Sequence, residues 1–163
     1  VSGNAIVSEN AYVYEKSHVY GYAIVHGESV VGGDSHVYDY ANIHGKAIIY
    51  GYAHVCGNSK VFDNANVHGN ANIRGDANIF GNADVFGNAL IESMSDYIVF
   101  KNWWSSGRYF TWTKSNNMWK VGCFYGTGKE LIDKAYRDSE ISGREYERIV
   151  KYVKTINNDL EIM

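Results

Sequence analysis

The first 93 residues repeat a pattern of apolar and polar positions with a period of six residues. Val or Ile occupies every sixth position from Val1 to Ile91, which makes 16 positions out of 16. Ala or Ser stands two residues before each of the last fifteen of these positions, from Ala5 to Ala89. A period of six fits neither a helix nor a heptad repeat. It is typical of a solenoid built from short parallel strands.

Alternation along each strand predicts which of these positions face inward. Residues i and i−2 of a strand point the same way, so the Val or Ile and its preceding Ala or Ser both face the interior. The connecting pairs are mostly Gly or Asp followed by Asn, Asp, Tyr or Lys, which tolerate tight turns. Three hexapeptides then form one triangular coil of eighteen residues. About five coils follow one another, at a spacing of roughly 4.8 Å.

This repeat resembles the left-handed parallel β-helix of the hexapeptide-repeat superfamily over residues 1–93. The resemblance implies a left-handed coil, whereas the general rule for crossovers between parallel strands is right-handed. It also implies self-association, because members of the superfamily commonly form homotrimers with parallel axes. The expected fold is mainly β, with a left-handed parallel β-helix followed by a small α+β domain.

The composition changes after Ile91, which places a second domain at residues 94–163. Ten of the 29 residues from Tyr97 to Tyr125 are aromatic, including all four tryptophans. The segments YIVFKNWW, YFTWTKS and MWKVGCF predict three antiparallel strands. Two helices follow, each with a predicted capping box: Thr127 with Glu130, and Ser142 with Glu145. We expect this β-β-β-α-α unit to cap the open end of the solenoid.

Charge and cysteine content limit the functional classes. Residues 1–93 have a net charge of −5 and residues 94–163 a net charge of +2, so neither half has the charge of a nucleic-acid mimic or binder. The sequence has no apolar run near eighteen residues and no secretory leader, which predicts no membrane segment. Two cysteines, Cys56 and Cys123, make no disulfide framework. We therefore expect a reducing, cytoplasmic location.

Outward residues spaced by eighteen should stack in columns, and one face of the predicted coil is apolar and aromatic in its first three coils. Cross-strand stacking alone explains such columns. An exposed patch of this size also favours a homo-oligomer interface, with a trimer as the first candidate. The predicted interface residues are Tyr12, Tyr14, Val30, Ile48 and Tyr50.

The column of His18, His36 and His54 is a weak candidate for a metal site. Three imidazoles can hold a divalent metal when their nitrogens converge at about 2.1 Å from it. Adjacent strands of a ladder instead point their side chains in parallel. We therefore favour a stacked histidine ladder and predict no metal and no cofactor.

The resemblance also includes acyl- and acetyltransferases, which place a catalytic His in a subunit cleft beside a long loop. Here fifteen successive linkers have the same length, so no loop is available to exclude water. The GTGK segment at 126–129 fails the phosphate-loop pattern, because Cys123 and Glu130 occupy two of its required positions. Cys123 has no His partner in this unit. The sequence therefore predicts a protein that is not an enzyme.

The aromatic C-terminal unit is the predicted partner-binding site. Tryptophan and arginine are enriched at binding hot spots. We expect about half of the tryptophans to form the small core and the other half to contact a partner. The candidate residues are Trp103, Trp104, Arg108, Trp112 and Trp119.

The segment WKVGCFYGTGKELIDKAY is similar to the tail of uncharacterised hexapeptide-repeat proteins of bacteriophages and prophages. This resemblance implies a phage origin, and hence the cytoplasm of a bacterial host. The leading hypothesis is an oligomeric, anti-CRISPR-like inhibitor of a bacterial defence system that occludes a host macromolecule. The alternatives are sequestration of a nucleotide-type ligand at a subunit cleft, or an acyl- or acetyltransferase-related protein. Direct nucleic-acid binding is disfavoured by the small charge of the basic half.

Overall fold

The computed structural model describes the backbone of residues 1–162 and the side chains of residues 1–159. Its first part is a parallel β-solenoid of about five coils. Each coil contributes three strands of two residues. In chain order the strands are β1 Ile6–Val7, β2 Tyr12–Val13, β3 His18–Val19, β4 Ile24–Val25, β5 Val30–Val31, β6 His36–Val37, β7 Asn42–Ile43, β8 Ile48–Ile49, β9 His54–Val55, β10 Lys60–Val61, β11 Asn66–Val67, β12 Asn72–Ile73, β13 Asn78–Ile79, β14 Asp84–Val85 and β15 Leu90–Ile91.

The fifteen strands form three parallel sheets of five, and every third strand belongs to the same sheet. The first sheet contains β1, the second β2 and the third β3. Paired residues are eighteen apart, as in His18 opposite His36. The ladders join successive coils through bonds such as that from the Ile6 N–H to the Ala23 carbonyl, at 2.9 Å. This register confirms the predicted eighteen-residue columns.

The interior of the solenoid contains the residues that the period predicts. From Val19 onward, the inward Val, Ile, Ala and Ser positions are buried. The three most deeply buried serines donate their hydroxyls to the carbonyl three residues earlier, as Ser35 does to Gly32 at 2.7 Å. Because each hydroxyl is satisfied locally, Ser can replace Ala in this core without an unpaired polar group.

The turns use one residue of positive φ in each hexapeptide. Eleven of these fifteen positions are Gly, and the others are Glu9, Glu15, Asp39 and Asp63. Each of the four carboxylates accepts a hydrogen bond from the backbone N–H eighteen residues later, at 2.8 to 3.2 Å. These bonds help to offset the cost of a left-handed conformation for a residue with a side chain.

The C-terminal unit has four strands rather than the predicted three. They are β16 Tyr97–Lys101, β17 Tyr109–Thr113, β18 Met118–Val121 and β19 Phe124–Gly126. They follow a short 3-10 helix at Met94–Asp96 and form an antiparallel sheet in chain order. The predicted strand MWKVGCF divides at Gly122, whose φ of 54° makes a turn with the exposed Cys123. The prediction missed this hairpin because the segment is apolar on both sides of the glycine.

Two helices complete the unit, α1 at Gly128–Asp138 and α2 at Glu140–Ile162. The capping box of Thr127 and Glu130 is confirmed, with the Thr127 N–H donating to Glu130 Oε2 at 2.7 Å. These bonds lower the pKa of the Glu130 carboxyl. The predicted cap at Ser142 is wrong. Ser139 precedes α2 instead, and its hydroxyl accepts from the Ser142 N–H at 3.1 Å.

The antiparallel sheet lies between the last coil and the two helices. Alternate residues of β16 pack against the solenoid core, such as Tyr97, while the others, such as Phe100, pack in the helix-side core. Side chains from the unit accept hydrogen bonds from last-coil N–H groups. Thr111 Oγ1 accepts from Asp84 at 2.9 Å, and Ser115 Oγ accepts from Leu90 at 2.8 Å. The expected cap is therefore present.

Neither α1 nor α2, within the described residues, has the length and apolar character needed to cross a membrane.

Candidate interaction surface

The second sheet of the solenoid carries a patch that we call the aromatic face, formed by Tyr12, Tyr14, Val30, Ile48 and Tyr50 in the first three coils. Tyr12 is 65% exposed, and Ile48 and Tyr50 are each 42% exposed. The parallel pairing of β2, β5 and β8 aligns these outward residues in two adjacent columns. The structure thus brings the five residues together on one surface.

A glycine determines how the aromatic face is packed. The Tyr14 ring covers Gly32, where an added Cβ would lie only 2.6 Å from ring carbons. Tyr14 therefore extends across the second coil, and its ring centroid lies 6.5 Å from that of Tyr50 and 5.7 Å from that of Tyr12. The Glu15 carboxylate beside Tyr50 raises the pKa of its phenol. The result is a continuous aromatic surface with an acidic group at its rim.

The same two columns become largely polar in the fourth and fifth coils, where Phe86 is the one apolar residue. Asn66 and Asp84 continue the column of Tyr12, and His68 and Phe86 continue that of Tyr14. His68 Nε2 lies 2.6 Å from Asp84 Oδ1. The sequence analysis missed this pair. Its sixteen-residue separation, a diagonal step between adjacent columns, could have indicated it.

The third sheet carries the histidine column. The ring centroids of His18 and His36 are 4.9 Å apart, and those of His36 and His54 are 4.8 Å apart, with interplanar angles of 12° and 2°. Parallel stacked rings do not direct three nitrogens at one point, so this arrangement fits a ladder. Burial, together with the neighbouring imidazoles, lowers the pKa of His36. Among the described residues, no group of three His, Cys, Asp or Glu side chains could hold a metal ion.

The tryptophans divide between the core and the surface. Trp112 and Trp119 are each 1% exposed and lie opposite one another on β17 and β18, facing the helices. Because both rings are buried in the core, Trp112 and Trp119 are removed from the predicted partner-binding residues. Trp103 is 73% exposed. Trp104 is half-buried and packs edge-on against Tyr146, with 5.0 Å between centroids.

Three predicted binding residues thus remain accessible, all on the loop between β16 and β17: Trp103, Trp104 and the exposed Arg108. The loop is closed by two backbone hydrogen bonds. The Asn102 N–H donates to the Arg108 carbonyl and the Gly107 N–H to the Asn102 carbonyl, both at 2.9 Å. The loop therefore presents its aromatic residues from a fixed base.

No protein-family model, curated protein or solved structure matches this chain.

The other aromatic columns of the solenoid behave as simple ladders. Stacked ring pairs with interplanar angles below 25° recur on its surface, and they follow the same eighteen-residue step as the backbone. These pairs are Tyr20–Tyr38, Tyr22–Tyr40, His26–His44, His44–Phe62 and Phe62–Phe80. They stabilise the sheets by cross-strand contact. The aromatic face differs because its apolar residues fill two adjacent columns across three coils.

Proposed function

We propose that the protein is a non-enzymatic binding protein that self-associates through the aromatic face. The observation that carries this proposal is the concentration of accessible apolar residues of the second sheet in the first three coils. Phe86, in the fifth coil, packs edge-on against Tyr125 of the C-terminal unit. Contiguous exposed apolar patches on soluble proteins commonly mark interaction sites. A second copy of the chain is the partner proposed for this face.

The largely polar fourth and fifth coils of the second sheet support this choice of partner. A column of residues that only stabilised the sheet would not need to change from apolar to mostly polar residues after Tyr50. The change to Asn66, His68 and Asp84 instead limits an interface to one end of the sheet. In a homotrimer with parallel axes, three equivalent faces bury this patch and leave the C-terminal units free for another partner.

The proposal takes the solenoid to be the left-handed, triangular form that its hexapeptide repeat resembles. The three sheets and the eighteen-residue register support a three-sided coil. An experimental electron-density map tests both features, and a right-handed coil would contradict the first.

The proposed target is a component of a bacterial defence system, which the protein blocks by occlusion after phage infection. This part of the proposal rests on the resemblance of the segment WKVGCFYGTGKELIDKAY to phage and prophage tails, which is drawn from the sequence alone. The docking element is the loop that carries Trp103, Trp104 and Arg108, because it combines exposed aromatic and cationic groups on a fixed base.

Light scattering of the purified protein tests self-association. We expect a trimer mass for the wild type and a shift to monomer for Ile48→Lys, because the substitution places a charge in the apolar patch. Asn66→Lys is the matched control in the next coil of the same column. Lys60 already occupies an equivalent outward position on the first sheet, so the ladder accommodates lysine. A wild-type monomer at micromolar concentration contradicts the proposal.

Co-purification from a bacterial lysate, followed by a defence-inhibition assay, tests the target. We expect the wild type to retain one component of a defence system and Trp103→Ala to lose it, with Tyr22→Ala as the control at another exposed aromatic residue. If no defence system is blocked by the wild-type protein, the inhibitor hypothesis is wrong, whatever the oligomeric state.

A further inference from the structure

The strand β16 is an open edge of the antiparallel sheet. On one side it pairs with β17 through five residue pairs in unbroken register, and on the other side no strand of the described chain adjoins it. The opposite edge, β19, has only three residues, and α1 follows it at Gly128. Native edge strands are usually shortened, bulged, charged or interrupted by proline. β16 has neither a bulge nor a proline, and its one charge, Lys101, lies at its end.

Two backbone hydrogen bonds at the ends of β16 fix the phase of its ladder. The Lys114 N–H donates to the Asp96 carbonyl at 2.8 Å. The Asn102 N–H donates to the Arg108 carbonyl at 2.9 Å. Hydrogen-bonded and non-hydrogen-bonded pairs alternate along an antiparallel ladder. The even-numbered residues from 96 to 102 therefore bond to β17, and the odd-numbered residues of β16 direct their backbone groups toward the open edge.

The open edge thus presents the Tyr97 carbonyl, both backbone groups of Val99 and the Lys101 N–H. Within the part of the chain that the structure describes, none of these groups has a backbone partner, whereas the Lys101 carbonyl accepts from the Trp103 N–H at 3.0 Å. Such a row of donors and acceptors is complementary to the backbone of another extended segment.

An apolar groove runs beside this edge. One wall is β16 itself, and the other is the corner of the last coil at Phe80, Gly81 and Asn82. Met94 and Tyr109 complete the lining. The side chains of Phe80, Met94 and Tyr109 are 36%, 55% and 43% exposed. Accessible apolar side chains therefore lie next to the unpaired backbone groups, as a site for a docked strand requires.

Lys101 gives the groove a positive charge, and the other residues that line it are uncharged. Its Nζ lies 5.5 Å from the centre of the Tyr109 ring. None of the ion pairs among the described residues involves Lys101. The cation is therefore available to an acidic side chain of an occupant.

The walls of the groove favour a single strand over a second copy of the chain. Tyr97 and Val99 pack against the solenoid core, which keeps the corner at Phe80 beside the open edge. A second copy that paired with β16 would bring its own corner against this one. An extended segment carries no such bulk.

We propose that β16 binds an extended, unstructured segment of a partner protein by strand addition. The segment hydrogen-bonds to the open edge, places alternate apolar side chains against Phe80 and Met94, and places an acidic side chain beside Lys101. Its backbone supplies affinity, and the groove supplies specificity. This site is separate from the aromatic face and from the β16–β17 loop. It requires neither self-association nor a bacterial target.

Selection from a displayed library of random peptides, with the full chain as bait, supplies the probe. We expect the enriched peptides to alternate apolar residues with other residues and to contain Asp or Glu near one end. The consensus peptide is then synthesised with a fluorophore, and fluorescence anisotropy measures its affinity.

N-methylation of this peptide, one residue at a time, distinguishes strand addition from other modes of binding. Each methyl group removes one N–H donor. Binding should weaken about tenfold or more at alternate residues, whose N–H groups face β16, and change less than about threefold at the residues between them. This scan uses the wild-type protein, so it does not depend on the folding of any variant.

Val99→Pro removes one donor from the open edge. The Val99 N–H takes no part in the ladder with β17, and proline is compatible with such a position on an edge strand. We expect Val99→Pro to bind the peptide about tenfold or more weakly. Val99→Thr keeps the N–H and is the matched control. Both variants should retain the near-UV circular dichroism of the buried tryptophans.

Lys101→Gln tests the charge. The wild type should prefer the acidic peptide over the same peptide with glutamine in place of the acid by about two- to fivefold, as for an exposed ion pair. Lys101→Gln should remove this preference. Lys154→Gln, at an exposed cation on α2, should keep it.

Four results overturn the proposal: no alternating consensus among the selected peptides, an N-methyl scan without a period of two, wild-type binding by a folded Val99→Pro, or a lower mass of Val99→Pro in light scattering. The last would assign the edge to a second copy. Ile48→Lys leaves β16 intact and should bind the peptide like the wild type. A failure here is therefore distinguishable from a failure of the proposed self-association.

Discussion

The solenoid and the C-terminal unit bury their apolar side chains in different ways. In the solenoid, each coil adds small side chains of Val, Ile, Ala and Ser, and each residue packs against equivalents eighteen positions away. In the C-terminal unit, a few large rings from three consecutive strands meet against two helices. The first core is periodic and assembled from neighbouring coils, whereas the second depends on single residues.

This difference determines how far a destabilising substitution lowers the stability of neighbouring parts of the molecule. In a solenoid, stability is approximately a sum over repeats and their nearest-neighbour interfaces, so a defect is felt mainly in adjacent coils. In the small core around Trp112 and Trp119, one ring touches strands and helices together. We therefore expect the largest single-residue effects in the C-terminal unit, with only a local consequence for the solenoid.

Trp119→Ala should have the largest effect. Trp119 is 1% exposed and packs against Phe100 and Phe110, with centroid distances of 6.0 and 6.1 Å. Removal of a buried Trp side chain costs about 3–5 kcal/mol. Urea unfolding followed by near-UV circular dichroism measures the loss. Trp103→Ala, at the exposed ring, should change stability by less than about 0.5 kcal/mol.

Hydrogen exchange of Trp119→Ala sharpens the comparison. Amides of the C-terminal unit and the last coil should exchange faster, while those of the first three coils keep their protection, because repeat stability is local. Uniform loss of protection across all coils would show that the solenoid and its cap unfold as one cooperative unit.

Gly33→Ala should have the next largest effect, this time inside the solenoid. Gly33 has a φ of 68°, and an added Cβ would lie 2.8 Å from the backbone N and O of Gly51. Gly81 has a φ of 65° and nothing within 4 Å of the added Cβ. Gly81→Ala therefore isolates the conformational cost, about 1–2 kcal/mol, and Gly33→Ala adds about 1 kcal/mol or more of crowding. Equal denaturation midpoints for Gly33→Ala and Gly81→Ala would mean that neighbouring coils move apart at Gly33 without a loss of stability.

The solenoid was predictable because its constraints repeat. The 16 apolar positions and the small residues before them determine inward and outward faces at once, and a register of eighteen follows from three strands a coil. The acidic residues at Glu9 and Glu15 were not expected in left-handed turns. Their carboxylates bond to the next coil, an interaction visible only when the coils are stacked.

The C-terminal unit was predictable only in outline. Its capping box at Thr127 is a local signal and was found, but the division at Gly122 and the start of α2 depend on packing. The contact between Asn102 and Tyr146 was missed because these two residues are 44 positions apart in the sequence. No local pattern marks such a contact, in contrast to the aromatic face, whose columns follow from the repeat.

Thr111→Val tests the junction between the two regions, with a smaller expected effect. Thr111 is 1% exposed, and its Oγ1 accepts the Asp84 N–H at 2.9 Å. Valine keeps the shape and removes the acceptor, which leaves a last-coil N–H unpaired at a cost of about 1–3 kcal/mol. Ser115→Ala removes the similar bond to Leu90 at an exposed position, where water replaces the hydroxyl. Faster exchange of the Asp84 amide in Thr111→Val alone is the expected measurement.

The smallest expected effect concerns pH and the histidine column of the solenoid. Burial is the main cause that lowers the pKa of His36 below its usual value of 6.5, followed by the neighbouring His54 and His18. The folded state therefore binds this proton less readily than the unfolded chain does. The neutral form of His36 therefore contributes to stability fully above about pH 6.5, and this contribution decreases as the pH falls through that value.

His36→Asn should accordingly reduce the difference in melting temperature between about pH 7.5 and pH 5. Asparagine is a matched replacement, because Asn72 continues the same column beyond His54. The pKa of His44 on the first sheet is also lowered by burial, so the double variant with His44→Asn should reduce the difference further. An unchanged pH dependence in the double variant would show that the stacked imidazoles titrate alike in the folded and unfolded chain, and that the acid sensitivity of the protein arises from its carboxylates.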